Sequence, residues 1–96
     1  MKAKIMNPPR DIGGGWMEGF IGKYTFQAKV YDEPSTFGIN DGRVSKLMVW
    51  DEVVRQKESN IFTASIINYD RGWDIKPNTD EAKGILETIL KLWPNP

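Results

Sequence analysis

The sequence predicts an α+β domain: an antiparallel β-sheet of about four strands, opening with a β-hairpin and packed against one C-terminal amphipathic helix. Three observations carry this reading. Two strand-like runs, residues 16–21 and 24–31, flank Gly22-Lys23, and glycine first in a two-residue loop suits a type II′ hairpin turn. Near the C-terminal end Ala82, Ile85, Leu86, Ile89, Leu92 and Trp93 recur at helical spacing, which places them on one apolar stripe. The chain has 96 residues, 40% of them hydrophobic and 27% charged, which suits one domain with one core and is too apolar for intrinsic disorder.

Taken in order, residues 1–15 hold Pro8-Pro9 and Gly13-Gly14-Gly15 and read as a flexible N-terminal arm, with 16–96 as the single α+β domain. In the hairpin, pairing Ile21 with Tyr24 sets Gly19 opposite Phe26, Met17 opposite Ala28 and Gly15 opposite Val30 on an apolar face. Phe26 then lies over the space left by Gly19. The reverse face pairs Phe20 with Thr25, Glu18 with Gln27 and Trp16 with Lys29, a mixed and partly wet surface.

Residues 32–42 form a long connection rich in turn formers, with Phe37 and Ile39 as its apolar anchors. Residues 44–50 read as a third strand, extendable to 54, whose continuous Leu47-Met48-Val49-Trp50 run suggests burial on both faces. Residues 61–69 read as a fourth, with Phe62, Ala64 and Ile66 toward the core. Asp70-Arg71-Gly72 breaks it. Asn78 with Glu81 makes a capping-box-like helix start, Thr79 is a competing cap, and Pro94 stops the helix.

Composition excludes several classes of function. There is no cysteine, so neither a disulfide framework nor a thiolate, and a reducing cytoplasm is the expected compartment. There is no histidine, the side chain best suited to proton transfer near neutral pH and to transition metals. Thirteen basic and thirteen acidic side chains cancel, which removes the long-range field that would draw the chain to nucleic acid or an anionic membrane. No stretch is apolar enough for a signal peptide or a membrane span.

The segments Trp16-x-x-Gly19, Phe26-x-Ala28-Lys29-Val30-Tyr31, Phe37-Gly38-Ile39, Gly42-Arg43-Val44-Ser45-Lys46-Leu47 and Tyr69-Asp70-Arg71-Gly72-Trp73-Asp74 together resemble a family of short proteins of unknown function from phages and mobile elements of Gram-positive bacteria. The resemblance runs from Trp16 to about Trp93, and its last segment is the most specific. It implies a setting, the bacterial cytoplasm, where accessory proteins of mobile elements often bind host proteins. It carries over no catalytic or binding role.

Candidate functional residues fall into three groups. Asp70, Arg71 and Asp74 sit together beside Trp73, and two carboxylates around a guanidinium can hold a phosphate or a peptide charge. The plainer reading pairs Arg71 with a neighbouring aspartate to pin the crossover into the helix, with Trp73 filling the core. Arg43 and Lys46, with Lys23 and Lys29, form a basic stripe for nucleic acid, diluted by Asp32, Glu33 and Asp41; Trp16, Phe20 and Tyr31 could stack on bases, but no RNP-like motif accompanies them. Trp16, next to Phe20 and opposite Lys29, is the best candidate for a recognition surface. Against that, Lys29 lying over Trp16 on an ordinary wet face, or a homodimer burying the face, would explain the same residues.

The carboxylates at Asp32, Glu33, Asp51, Glu52, Asp70 and Asp74 show no spacing that forces convergence on a metal, and Gly13-Gly14-Gly15 lacks the Lys-Ser/Thr of a phosphate loop and reads as a hinge. No catalytic residue, metal or cofactor is expected. The expected function is a non-enzymatic module that binds a host or mobile-element protein through the mixed sheet face and the 32–42 loop, inhibition of a host defence protein being one form. A nucleic-acid-binding accessory protein is the alternative.

Overall fold

The turn at Gly22-Lys23 sets the register of the sheet. In the computed structural model, which describes residues 8–58 and 60–95, Gly22 adopts φ +56° while Lys23 keeps a negative φ, as a two-residue turn with glycine in its first position requires. Strands β2 (Trp16–Ile21) and β3 (Tyr24–Val30) then pair with Trp16 opposite Lys29, Glu18 opposite Gln27 and Gly19 opposite Phe26, the register read from the sequence. A Cβ on Gly19 would stand 2.5 Å from the Phe26 ring, so the glycine makes room for that ring to lie against the sheet.

Six strands form the sheet, not about four. Ahead of the hairpin, β1 (Arg10–Gly13) pairs with β2 through Arg10 opposite Glu18 and Asp11 opposite Met17. Gly13-Gly14-Gly15 is therefore a hairpin turn and not a hinge, with φ of +102°, +63° and +84°, a run of left-handed positions that side chains would strain. The Gly13 N–H donates to Asp11 Oδ1 at 2.7 Å, and an Arg10–Glu18 ion pair at 2.7 Å fastens the short strand. The first seven residues of the expected arm lie outside the described residues.

On the other side of β3 come β4 (Val44–Asp51), β5 (Ser65–Asp70) and β6 (Trp73–Ile75), each antiparallel to the strand before it, so the sheet is a meander in chain order. The third strand does not extend to 54: Asp51 caps α1 (Glu52–Lys57), its Oδ1 accepting the N–H groups of Val53 and Val54. Nor does a strand begin at Ile61, because Ile61–Ala64 forms the single turn α2. A register shift between Val49 and Trp50 resets the phase of β5, and the residues it sends deepest into the core are Ile67 and Tyr69, opposite Val49 and Leu47. The Phe62 side chain lies outside the described residues. With four and three residues, β1 and β6 are too short for alternation to reveal them.

Helix α3 (Asp80–Leu90) covers one face of this sheet. Its cap is Thr79, whose Oγ1 accepts the Ala82 N–H at 3.0 Å, and not Asn78. Glu81, the residue that would close a capping box on Asn78, instead accepts a hydrogen bond from the Tyr24 hydroxyl. Ile85 and Ile89 enter one buried cluster with Ile21, Phe26, Ala28, Leu47, Val49, Ile67 and Tyr69, and beyond the helix end Trp93 meets the Phe26 ring edge-on at 6.4 Å between centroids. Among the described residues no helix is long and apolar enough to cross a membrane.

Ile89 is fully buried, so Ile89→Ala should lower the unfolding free energy by about 2–5 kcal/mol in urea titration, and a chain ending before Asn78 should show no cooperative melt. Burial, then the bond to Glu81 and the charges of Glu81 and Asp51, push the Tyr24 hydroxyl up from 10.0 to about 12. The folded state therefore holds this proton more tightly than the unfolded one, and the associated stability is present below pH about 10 and lost as pH rises through about 12. Urea midpoints compared at pH about 9 and about 11 should fall further for the wild type than for Tyr24→Phe.

Candidate functional site

Strand side chains alternate between faces, so a sheet with α3 on one side presents a second set of residues on the other. Three cross-strand rows make up this second face. Trp16, Lys29, Lys46 and Asp70 align across β2 to β5; Arg10, Glu18, Gln27, Met48 and Asn68 align across β1 to β5; Phe20, Thr25 and Trp50 align across β2 to β4.

The third row is closed by its own chemistry. Glu52, just past the end of β4, folds back so that one carboxylate oxygen accepts from Trp50 Nε1 at 2.7 Å and from Thr25 Oγ1 at 2.8 Å. Trp50 is left 7% exposed. The double burial expected for the Leu47-Met48-Val49-Trp50 run thus holds for Leu47, Val49 and Trp50 by different means: the first two reach the core under α3, while the tryptophan is shielded on the opposite face. Met48 stays half-buried on the open side.

Between the first two rows lies a concavity of about 260 Å³ lined by Trp16, Gln27, Lys46, Met48, Asn68, Asp70 and Asp74. Gln27 is oriented by donating from Nε2 to Glu18 at 3.0 Å, which leaves its carbonyl oxygen unengaged among the described residues. That bond, followed by the one from Arg10, holds the Glu18 carboxyl below its ordinary range. Asn68 is only 5% exposed, yet its amide makes no hydrogen bond among the described residues. Its amide atoms open onto the concavity, and the buried polar side-chain atom left without a partner among the described residues is Ser45 Oγ. Asp70 faces both Lys46 Nζ and Arg71 Nε at 3.7 Å, beyond direct hydrogen-bond length, and Asp74 is exposed with no ion-pair partner among the described residues.

Of the residues singled out from sequence, Trp16, Lys46, Asp70 and Asp74 line this concavity, and Lys29 stands beside it with Nζ 6.0 Å from the Trp16 ring centroid. Phe20 is on the same face but at its far end, in a separate depression with Trp50 and Glu52. Tyr31 and Phe37 are exposed on the 31–43 loop. Arg43 is a clamp and not part of a basic stripe, since its Nε donates to the Tyr31 carbonyl at 2.8 Å and its Nη1 to the Pro94 carbonyl at 3.3 Å. Trp73 packs against the core with its ring edge-on to Tyr69 at 4.9 Å, and Tyr69 in turn donates to the Phe37 carbonyl at 2.8 Å. Arg71 occupies the left-handed region at φ +57° with an exposed side chain, and its N–H extends the β4–β5 ladder by donating to the Ser45 carbonyl at 3.1 Å.

Gln27, Met48 and Asn68 complete the concavity and were not among the sequence candidates. A polar residue inside the apolar run Ile66-Ile67-Asn68-Tyr69 was the available signal for Asn68. Among the described residues no group of three or more carboxylates is placed to hold a metal ion.

A family model described as a domain of unknown function (DUF7678) matches residues 15–94, a span that starts one residue before β2 and includes α3 but leaves out β1. No curated protein and no solved structure shows a significant match.

If Asn68 and Arg71 serve the open face and not the fold, exchanging them should not weaken it. Arg71→Gly should relieve the left-handed backbone and raise stability by about 1 kcal/mol, and Asn68→Leu should leave the melting temperature unchanged or higher because no protein hydrogen bond is lost. A marked drop in thermal stability for either variant contradicts this assignment.

Proposed function

We propose that the chain, which belongs to this family of domains of unknown function, is a non-enzymatic interaction module that binds a protein partner through the open face of its sheet. The observation that carries this reading is the uncovered concavity around Trp16, Met48 and Asn68, on the open face at the end away from Glu52, which covers Trp50 and Thr25. Tryptophan, methionine and arginine are enriched in protein interfaces, and binding energy concentrates at aromatic and arginine residues seated in partly enclosed pockets. Tyr31 and Phe37 are further exposed aromatic side chains, on the 31–43 loop.

A phage or mobile element of a Gram-positive bacterium is the proposed source, the bacterial cytoplasm the proposed compartment and a host protein, such as a defence protein, the proposed partner; these rest on the sequence resemblance. A nucleic-acid function is less well supported, because Lys29 and Lys46 share the face with Glu18, Asp70 and Asp74 and the chain carries no net charge.

Affinity capture from a host lysate, with wild type and Trp16→Ala in parallel, tests the proposal. A partner identified by mass spectrometry with the wild type, lost with Trp16→Ala and bound again by the purified proteins supports it. Tight binding to DNA or RNA that weakens steeply with salt would contradict it, as would a homodimer whose interface occupies the Trp16 face.

A further inference from the structure

We infer that the concavity on the open face is a receptor for an arginine side chain of the protein partner. The inference rests on the proposed protein-binding role of this face and adds the chemistry of what enters it.

Two of the three charged side chains that line the concavity are negative. The carboxylates of Asp70 and Asp74, the amide oxygen of Asn68 and the carbonyl oxygen of Gln27, unengaged among the described residues, border it together with four donor groups, the Asn68 amide nitrogen, the second N–H of Gln27 Nε2, the Trp16 indole N–H and Lys46 Nζ. Lys46 and Arg71 both face Asp70, and Glu18 is engaged by Arg10 and Gln27. Asp74 is the one charge lining the concavity with no opposing partner among the described residues. A complementary group therefore brings several donors and one positive charge.

Shape narrows the choice. Trp16 and Met48 give the concavity an aromatic and a thioether wall, and the Trp16 ring already holds a cation at 6.0 Å in the form of Lys29 Nζ. A guanidinium is planar, stacks on aromatic faces, is weakly hydrated and spreads five N–H donors in one plane. It can lie against Trp16 while donating to the Asn68 and Gln27 carbonyl oxygens and to Asp74. An ammonium offers a compact, strongly hydrated charge that cannot stack or reach several acceptors in one plane. A carboxylate or phosphate would meet the like charges of Asp70 and Asp74. The Asn68 amide is the second sign of a receptor: the residue is 5% exposed, its amide has no partner among the described residues, and it opens onto the concavity, so an arriving donor can take its oxygen in place of water.

The test is a titration of the ¹⁵N-labelled full chain with N-acetyl-arginine methylamide, its neutral citrulline analogue, its lysine analogue and adenosine, read at the Trp16 indole and the Gln27 and Asn68 side-chain amides. Saturable shifts at these three groups with millimolar affinity for the arginine compound, weaker by about fivefold or more with citrulline and in the Asp74→Asn variant, support the inference. No saturable shift, equal binding of citrulline, tighter binding of the lysine analogue, or tighter binding of adenosine at the same resonances overturns it. Asn68→Leu, measured alongside, should weaken the arginine compound with backbone shifts elsewhere unchanged; undiminished binding by this variant also overturns it. A partner captured through Trp16 together with a silent arginine titration would retain the protein-binding role and discard the arginine receptor.

Discussion

The register set at Gly22-Lys23 decides, through the two-residue alternation of strand side chains, which half of the sheet meets α3 and which half meets solvent. A slip of one residue in β3 would exchange Phe26 and Ala28, both fully buried, for Gln27 and Lys29 beneath the helix. The glycine in the first turn position and the glycine under the Phe26 ring both select the same register, the first through its positive φ and the second through the absent Cβ. With one helix of eleven residues available, only one face can be covered in this way.

The open face is stabilised by hydrogen bonds and ion pairs more than by burial. Glu52 closes one end over Trp50 and Thr25, and Arg10, Glu18 and Gln27 form a chain of charge-assisted contacts across β1 to β3. Beside these tied regions, toward β5 and β6, the polar accounting is incomplete: among the described residues the Asn68 amide has no protein partner, the Asp70 contacts are long, and Asp74 has no ion-pair partner. Arg71 adds a left-handed backbone at an exposed side chain within the same segment. Local strain and unmet hydrogen-bonding capacity tend to persist where a surface is used, because selection for stability alone would remove them.

The first hairpin, its register, the Phe26–Gly19 contact and the apolar stripe of the helix were legible in the sequence because each rests on local chemistry: a turn type, a period of two, a period of about 3.6. What was not legible depends on contacts distant in the chain. Asn78 and Thr79 compete as caps on equal local terms until Tyr24, far away in sequence, takes Glu81. Ile61-Phe62-Thr63-Ala64 reads as the start of a strand from its composition, but it folds as a short helical segment after a first one that Asp51 caps. For the site, Trp16 and Lys29 followed from the hairpin register, while Met48 and Asn68 awaited the pairing of β4 with β5, which a continuous apolar run left open. Arg43, read from the sequence as part of a basic stripe, donates to the Tyr31 and Pro94 carbonyls, contacts that no local pattern announces.

Binding of a partner through the Trp16–Met48–Asn68 face requires that this face be free in solution. Paramagnetic relaxation by an inert gadolinium chelate, read on ¹³C-methyl and ¹⁵N-indole signals of the full-length protein, measures this directly. Met48 methyl and Trp16 indole signals should broaden while Ile67, Ile85 and Ile89 methyls stay sharp, at a protein concentration where light scattering gives a monomer. Protection of Met48 and Trp16 equal to that of Ile67 would mean that the face is already covered, by a second copy or by another part of the chain, and would contradict the assignment of this surface to a partner.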